Sequence, residues 1–472
     1  MERPPSILLI IVEHTGQMSI GPHSPCQTPH LDRLSERGVR FERCYTTNPI
    51  CSPARASLMT GLYPSAHGMW DCAHTQRKEW LDVPAGRFTH FASLLRDAGW
   101  RTAYFGKWHV EQTGRLEDFG WSEYDCSVQH CRLEATDSRK IVVKTDGYRD
   151  FLLAGIDRSS RAPRHPAFDA GISFLRRTSS AGEPFFCVVS TVEPHDPYIA
   201  PAEYVSRYDI RRFPLPASLR DACADKPEVV RRMQKVFADL TDDDWRFLRA
   251  CYCGTLSFID GEVGRILACL EETGRLDDTL VIFTSDHGDM LGGHGLATKG
   301  VGTPYEEVLN IPMIVAGPGV RKGVEETASL VSILDLGPTI LDLCRLAPLS
   351  SAHGRSFRQI LEGRHNPDQW QDAYAEFFGQ RFMYTQRIVW HRNWKYVFSP
   401  GGIDELYDLS EDPHERRNLA SDPAHREPLL SMCGRMWKKM KQIGDMSLFN
   451  SHYAVLRTAP AGPLAAEEES DR

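Results

Sequence analysis

Cys51 stands two residues ahead of Pro53, four ahead of Arg55 and ten ahead of Gly61. Proline suits the first turn of a helix and glycine ends one, so this run predicts a short helix with residue 51 at its N-terminus. Unpaired N–H groups and the positive end of the helix dipole favour an anion there. Arg55 returns to the same face one turn later, where it can hold oxygens beside residue 51. Taken alone, a buried cysteine before a proline-started helix is ordinary. Other segments add to it. Asp286-His287 follows the apolar run Leu280-Val281-Ile282, and a carboxylate beside a neutral imidazole is a metal-binding pair. Glu13-His14 ends the apolar run Ile7-Leu8-Leu9-Ile10-Ile11-Val12 in the same way. Three further segments carry cations: Gly106-Lys107-Trp108-His109, Glu193-Pro194-His195-Asp196-Pro197-Tyr198, and Lys299-Gly300 behind the glycine-rich Gly292-Gly293-His294-Gly295.

These residues need a scaffold that delivers them to one place. Apolar, strand-like runs at 7–12, 101–105, 185–191 and 280–285 alternate with helical stretches at 31–37, 88–98, 167–177 and 243–273. The alternation predicts an α/β fold, a large mostly parallel sheet flanked by helices on both faces. Ligand sites in such sheets lie beyond the carboxyl ends of the strands, where Glu13-His14 and Asp286-His287 stand. Residues 111–166 are polar and read as irregular, and 209–243 are charged and proline-punctuated; both read as excursions around the mouth of the site. From 372 the texture turns aromatic and β-rich, at 387–391, 394–398 and 405–409 with a turn at Ser399-Pro400-Gly401-Gly402. A helix near 426–441 closes this part. The division expected is 1–371 for a catalytic α/β domain, 372–458 for a small C-terminal α+β subdomain with an antiparallel sheet, and 459–472 for a flexible tail.

Cys51-Ser52-Pro53-Ala54-Arg55 followed by Ala56-Ser57-Leu58-Met59-Thr60-Gly61 resembles the maturation motif of the type I sulfatase family, in the alkaline phosphatase superfamily. The likeness extends to Thr28-Pro29-His30-Leu31-Asp32, Leu62-Tyr63-Pro64-Ser65-Ala66-His67-Gly68, Thr303-Pro304-Tyr305-Glu306-Glu307 and Asp404-Glu405-Leu406-Tyr407-Asp408-Leu409, from about Ser6 to about Leu419. The resemblance implies that Cys51 is oxidised by a formylglycine-generating maturation enzyme to an aldehyde whose hydrate carries two hydroxyls. One attacks the sulfur of a sulfate ester and the other later expels the bound anion. It implies metal ligation by Glu13, Asp286, His287 and residue 51, with His14 left open. Arg55 would hold the hydrate oxygens and Lys107 would contact hydrate and sulfate. His109 would take the second hydroxyl's proton, and His195 and Lys299 would bind the outer oxygens, one of them protonating the departing alcohol. The substrate implied is a small-molecule or saccharide sulfate ester, with cross-reactivity toward phosphorus esters.

One position departs from the family pattern. Where two adjacent carboxylates or an Asp-Gln pair usually end the first strand, this chain has Glu13-His14. The family implies Ca²⁺, with Mg²⁺ or Mn²⁺ as alternatives; a second imidazole favours Mn²⁺ or another borderline ion over all-oxygen Ca²⁺ coordination. Two other readings stand beside the sulfatase: a phosphonate monoester or phosphodiester hydrolase with the same nucleophile, and a catalytically silent binding module.

Composition fits a soluble enzyme. With 472 residues the chain exceeds one core, and a net charge of −8 with 25% charged residues argues against a nucleic-acid binder. The apolar run at 7–12 is too short to span a membrane and lacks a basic leader, so the expectation is a cytoplasmic protein with no membrane partner. Thirteen cysteines, odd in number and scattered, fit a reducing compartment better than a disulfide framework, and most read as small core residues. Oligomeric state is left open, a homo-oligomer included.

Overall fold

The computed structural model describes residues 4–75, 88–144, 147–159, 163–179, 182–449, 453–454 and 457–465. Residues 466–472 of the expected tail lie outside the described residues. A nine-stranded sheet forms the centre, ordered Val324–Glu326, Gly38–Tyr45, Asn310–Ala316, Thr279–Thr284, Ser6–Val12, Phe185–Thr191, Arg101–Gly106, Glu123–Asp125, with Val331–Ser332 also paired to Gly38–Tyr45. From Thr279–Thr284 to Glu123–Asp125 all neighbours are parallel. Asn310–Ala316 runs antiparallel to both of its neighbours.

The first strand shows why its run is continuously apolar. Leu8, Ile10 and Val12 face one core with Val189, Phe283, Tyr252 and Phe258, whereas Ile7, Leu9 and Ile11 face a second core with Leu58, Phe91, Trp121 and Ile282. A parallel strand covered on both faces needs apolar side chains on both. The first layer is built on the 31-residue helix Asp242–Glu272, which opens with a reciprocal cap between Thr241 and Asp244 and three acids in its first turn. Helix Pro166–Ser179 packs beside it; Cys51–Thr60, Phe91–Asp97 and Leu336–Leu343 cover the other face.

Two expectations are corrected. Residues 111–166 are not irregular throughout: Lys140–Val143 and Phe151–Asp157 form a three-stranded sheet with Tyr198–Pro201, whose pairing supplies the backbone partners that local sequence did not announce. Cys26 and Cys253 pair as a disulfide with Cα atoms 4.9 Å apart, so not all the thiols are separate core residues. Cys251, two residues away on the same helix, stays free and buried.

The C-terminal sheet is antiparallel, Asp372–Gly379, Met383–His391, Trp394–Phe398 and Glu405–Asp408 in order, closed by helix Arg426–Ile443. It braces two site-bearing segments. Glu376 accepts hydrogen bonds from Ser65 N and Oγ (2.7 and 2.8 Å), and its carbonyl accepts one from Asn48 Nδ2 (2.7 Å). Trp390 Nε1 donates to Glu306 (2.8 Å), and buried Lys395 pairs with Glu306 and Glu415 at 3.1 and 2.7 Å. Among the described residues no helix is long and apolar enough to cross a membrane.

Candidate active site

Cys51 is the first residue of helix Cys51–Thr60, entered from an extended Ile50 and ended by Gly61 at φ 69°, whose N–H bonds Ser57 O at 2.8 Å. All ten helix residues are buried. Ile50 N donates to Asn48 Oδ1 at 2.9 Å, fixing the entry. Beneath the helix, Met69 N donates to His67 Nδ1 (3.1 Å), so the ring proton sits on Nε2 and reaches Ser57 Oγ (3.0 Å). Burial pushes His67 down from 6.5 to about 3. Between those values protons favour the unfolded chain. The stability this group contributes is complete above pH 6.5 and lost as pH falls toward 3. Melting temperatures followed from pH 7 to 4 should fall less steeply in His67→Gln than in the wild type; parallel curves would show that His67 is not the coupled group.

Four neighbouring parallel strands end at one edge of the sheet and carry the remaining groups: Ser6–Val12 leads to Glu13-His14, Thr279–Thr284 to Asp286-His287, Arg101–Gly106 to Lys107, and Phe185–Thr191 to His195. Gly106 lets the last two approach. Its φ is 105°, a Cβ there would stand 1.8 Å from Ser190 O, and Lys107 N donates to that carbonyl at 2.9 Å. His14, His109 and Thr298 hold left-handed backbone at φ 55°, 54° and 63°, strain that the surrounding contacts must over-determine.

The structure gathers Glu13, Cys51, Asp286 and His287 so that one ligand atom of each lies within 4.8 Å of the others, all four buried. Arg55 Nε donates to Asp286 Oδ2 (2.7 Å), and its Nη1 donates to Lys107 O (2.8 Å) and Ser190 Oγ (2.9 Å), leaving Nη2 buried without a partner. Against burial, Arg55 and then His287 hold the Asp286 carboxyl below its usual range, so it is ionised. Lys107 Nζ pairs with Glu13 Oε1. Two buried acceptors face no donor: Glu13 Oε2, and His287 Nε2, whose ring proton is committed through Nδ1 to Gly288 O at 2.9 Å. Two carboxylates and an imidazole nitrogen beside residue 51 fit a divalent cation.

His14 is occupied otherwise. Its Nδ1 donates to Asp289 Oδ2 at 2.8 Å and its Nε2 accepts from Lys299 Nζ. Burial first, then Lys299 and His195, keep it far below its ordinary value and neutral. His195 is arranged alike, Nδ1 to Asp196 O at 2.6 Å and Nε2 to Lys299 Nζ at 2.7 Å. A ligand atom of Glu13, of His14 and of His195 also come within 4.8 Å of one another, but both nitrogens of each ring are already bonded. Lys299 is thus one ammonium shared by two imidazoles; burial opposes its charge, and Cys51, Asp196 and Glu13 raise it above its ordinary value. Contact with the Cys72 thiol, then Lys107, Lys299 and His109, holds the Cys51 thiol well below its ordinary value although burial pushes the other way. His109 Nε2 bonds His74 Nδ1 at 3.0 Å and its Nδ1 is buried without a partner.

The mouth is a cleft of about 540 Å³ lined in part by His74, Lys107, His109, Gln112, His130 and His195. Sequence reasoning missed Cys72, Ser190 and Asp289. Asp289 stands two residues past His287, yet its partner His14 is 275 residues away.

The chain is similar to known proteins in sequence and in fold. A family model described as Sulfatase matches residues 5–346, and one described as N-sulphoglucosamine sulphohydrolase, C-terminal, matches 292–443. The chain is 30% identical to the uncharacterized sulfatase YidJ of Escherichia coli (strain K12) over 474 residues, covering 97% of this chain and 90% of that one. Among solved structures it is similar to one determined in complex with its substrate D-glucosamine-2-N, 6-O-disulfate (TM-score 0.75, 20% identity, 94% of this chain and 99% of that one). It is also similar to the phosphonate monoester hydrolase of Agrobacterium radiobacter (TM-score 0.75, 24% identity, 93% and 96%).

Proposed function

The chain belongs to the sulfatase family and is a sulfate ester hydrolase, and we propose that it acts through a formylglycine made from Cys51, beside a divalent cation, on a small or saccharide sulfate ester. The observation that carries this reading is the convergence of Cys51, at a buried helix N-terminus, with Lys107, His109 and Lys299 against its side chain. Hydrated formylglycine supplies one hydroxyl to attack sulfur and a second to release sulfate. Glu13, Asp286, His287 and residue 51 would hold a divalent cation, which would supply Lewis acidity; Ca²⁺, Mg²⁺ and Mn²⁺ are the candidates.

The chain's own residues then divide the work. Arg55 keeps Asp286 ionised and oriented, and Lys107 pairs with Glu13 and orients it. His109 lies against residue 51, where its free Nδ1 can take a proton from the second hydroxyl. Lys299, positioned by His14 and His195, places one positive charge over the ester oxygens and donates the proton that the departing alcohol needs. We read His14 as the organiser of Lys299 and not as a metal ligand, because Asp289 and Lys299 take both of its nitrogens. The open mouth, which carries His74, Gln112 and His130, suits a hydroxylated leaving group, and the disulfated glucosamine bound by the structural neighbour is of that class.

The test is a panel of aryl and sugar sulfates beside matched phosphonate monoesters, with release of each anion followed. Sulfate release should dominate in the wild type. Lys299→Ala should cut it about a hundred- to a thousandfold, the usual cost of one donor to developing charge, and less for nitrophenyl than for sugar leaving groups. Equal losses on both would remove the proton-donor role. A wild type that prefers phosphonates throughout would replace the sulfatase reading of its substrate.

A further inference from the structure

Away from the catalytic mouth, a cleft of about 280 Å³ opens where the far end of the nucleophile helix meets the C-terminal sheet and helix. Tyr63 and Tyr374 wall it, their rings 5.2 Å apart edge to face, and Arg355, Arg435, Lys438 and Lys439 ring it. Two carboxylates, Asp335 and Asp372, share the lining, and both are committed. Asp335 accepts from Ser332 N (2.9 Å) and Arg355 N (2.8 Å), and Asp372 Oδ1 accepts from His391 Nδ1 and Arg435 Nη1, each at 2.9 Å.

The four cationic side chains outnumber these two carboxylates, so positive charge is in surplus on the lining. Among the described residues Lys439 makes no ion pair; its ammonium sits 5.2 Å from the centre of the Tyr63 ring. Burial pushes its pKa down from the ordinary value. Arg435 Nε and Tyr374 Oη are buried without hydrogen-bond partners, and unmade buried donors are costly and uncommon. A cleft with a surplus cation, a guanidinium N–H and a phenol O–H unspent matches a group with several acceptor oxygens and negative charge. We propose that this cleft is an oxyanion-binding site, separate from the catalytic centre, that receives a sulfate, phosphate or carboxylate group.

Its position gives binding a consequence. Tyr63 lies two residues past Gly61, which ends the nucleophile helix and whose carbonyl accepts from His353 N at 2.8 Å. Lys439 and Arg435 come from helix Arg426–Ile443. An anion held between them ties that helix to the base of the helix carrying residue 51 and raises the melting temperature by mass action.

The test uses full-length protein carrying Cys51→Ala and Lys299→Ala, which disables the catalytic anion clamp. Inorganic sulfate, inorganic phosphate and a sulfated disaccharide are titrated calorimetrically at ionic strength fixed with chloride. One saturable site per chain is expected, weakened about tenfold or more by Lys439→Gln, the size expected for losing a charged donor. Lys439→Gln breaks no ion pair, so it reports even if Arg435→Gln loosens the fold. Saturation by the inorganic ions identifies a free anion as sufficient ligand; saturation by the disaccharide alone identifies an anionic group on a larger molecule. Absence of saturable binding by all three probes, or binding unchanged by Lys439→Gln, overturns the proposal.

Discussion

Cys51→Ala is expected to lower turnover by roughly 10⁵- to 10⁶-fold, the scale seen when a covalent nucleophile is removed. The melting temperature should stay within a few degrees. Residue 51 is buried with 2% exposure, and alanine deletes only its sulfur, with no ion pair broken. Activity and folding are thus separable at this position. The expectation has a second arm, because the reacting group is made after translation. Mass spectrometry of the peptide carrying residue 51 should find the aldehyde in active preparations and the thiol in inactive ones made without a maturation enzyme. Cys72, whose thiol contacts Cys51, makes Cys72→Ala the control: its activity should follow the aldehyde content measured by the same method. Wild-type rates in Cys51→Ala, or active protein with an unmodified thiol, would falsify the formylglycine mechanism.

What the sequence made legible is what local physics writes locally. Doubly buried strands need unbroken apolar runs, so Ser6–Val12, Phe185–Thr191 and Thr279–Thr284 stood out, as did the proline-started, glycine-ended helix at Cys51. Gly38–Tyr45 did not read as a strand because Arg40, Glu42 and Arg43 interrupt it; Arg40 is satisfied by Glu42 and, at 2.7 Å, by Glu325 on a partner strand. Lys140–Val143 and Phe151–Asp157 are short, and their sheet is completed only by Tyr198–Pro201. The site follows the same division. Residue types at strand ends announced Glu13, Lys107, Asp286 and His287. Nothing local announced that His14 would be claimed by Asp289 and Lys299, or that Cys26 would meet Cys253 across 227 residues. An adjacent Glu-His pair at a strand end leaves open whether the second residue joins the ion; the fold shows it facing a lysine.

Removing the cation should also lower turnover strongly, and the three side chains proposed to hold it should respond differently. His287→Ala deletes an imidazole whose Nε2 faces the cluster 3.8 Å from Asp286 Oδ1 and whose other nitrogen bonds a carbonyl, and Arg55 remains as the closer partner of the Asp286 carboxylate. Bound metal, measured by elemental analysis, should fall below one per chain, and turnover should drop by about a thousandfold or more, since Lewis acidity is worth several kcal/mol. Stability of the metal-free form should change little. Asp286→Asn should cost activity similarly but also destabilise by about 3–5 kcal/mol, because it strands the Arg55 guanidinium at 1% exposure. Glu13→Gln falls between, since Lys107 keeps 8% side-chain exposure and some access to water. His14→Gln is the discriminating variant. If His14 organises Lys299, metal content should stay at the wild-type level while turnover falls, and the loss should be greatest for poor leaving groups. Metal lost in His14→Gln would make it a ligand instead, and an active wild type with no stoichiometric divalent ion would remove the metal from the reaction altogether.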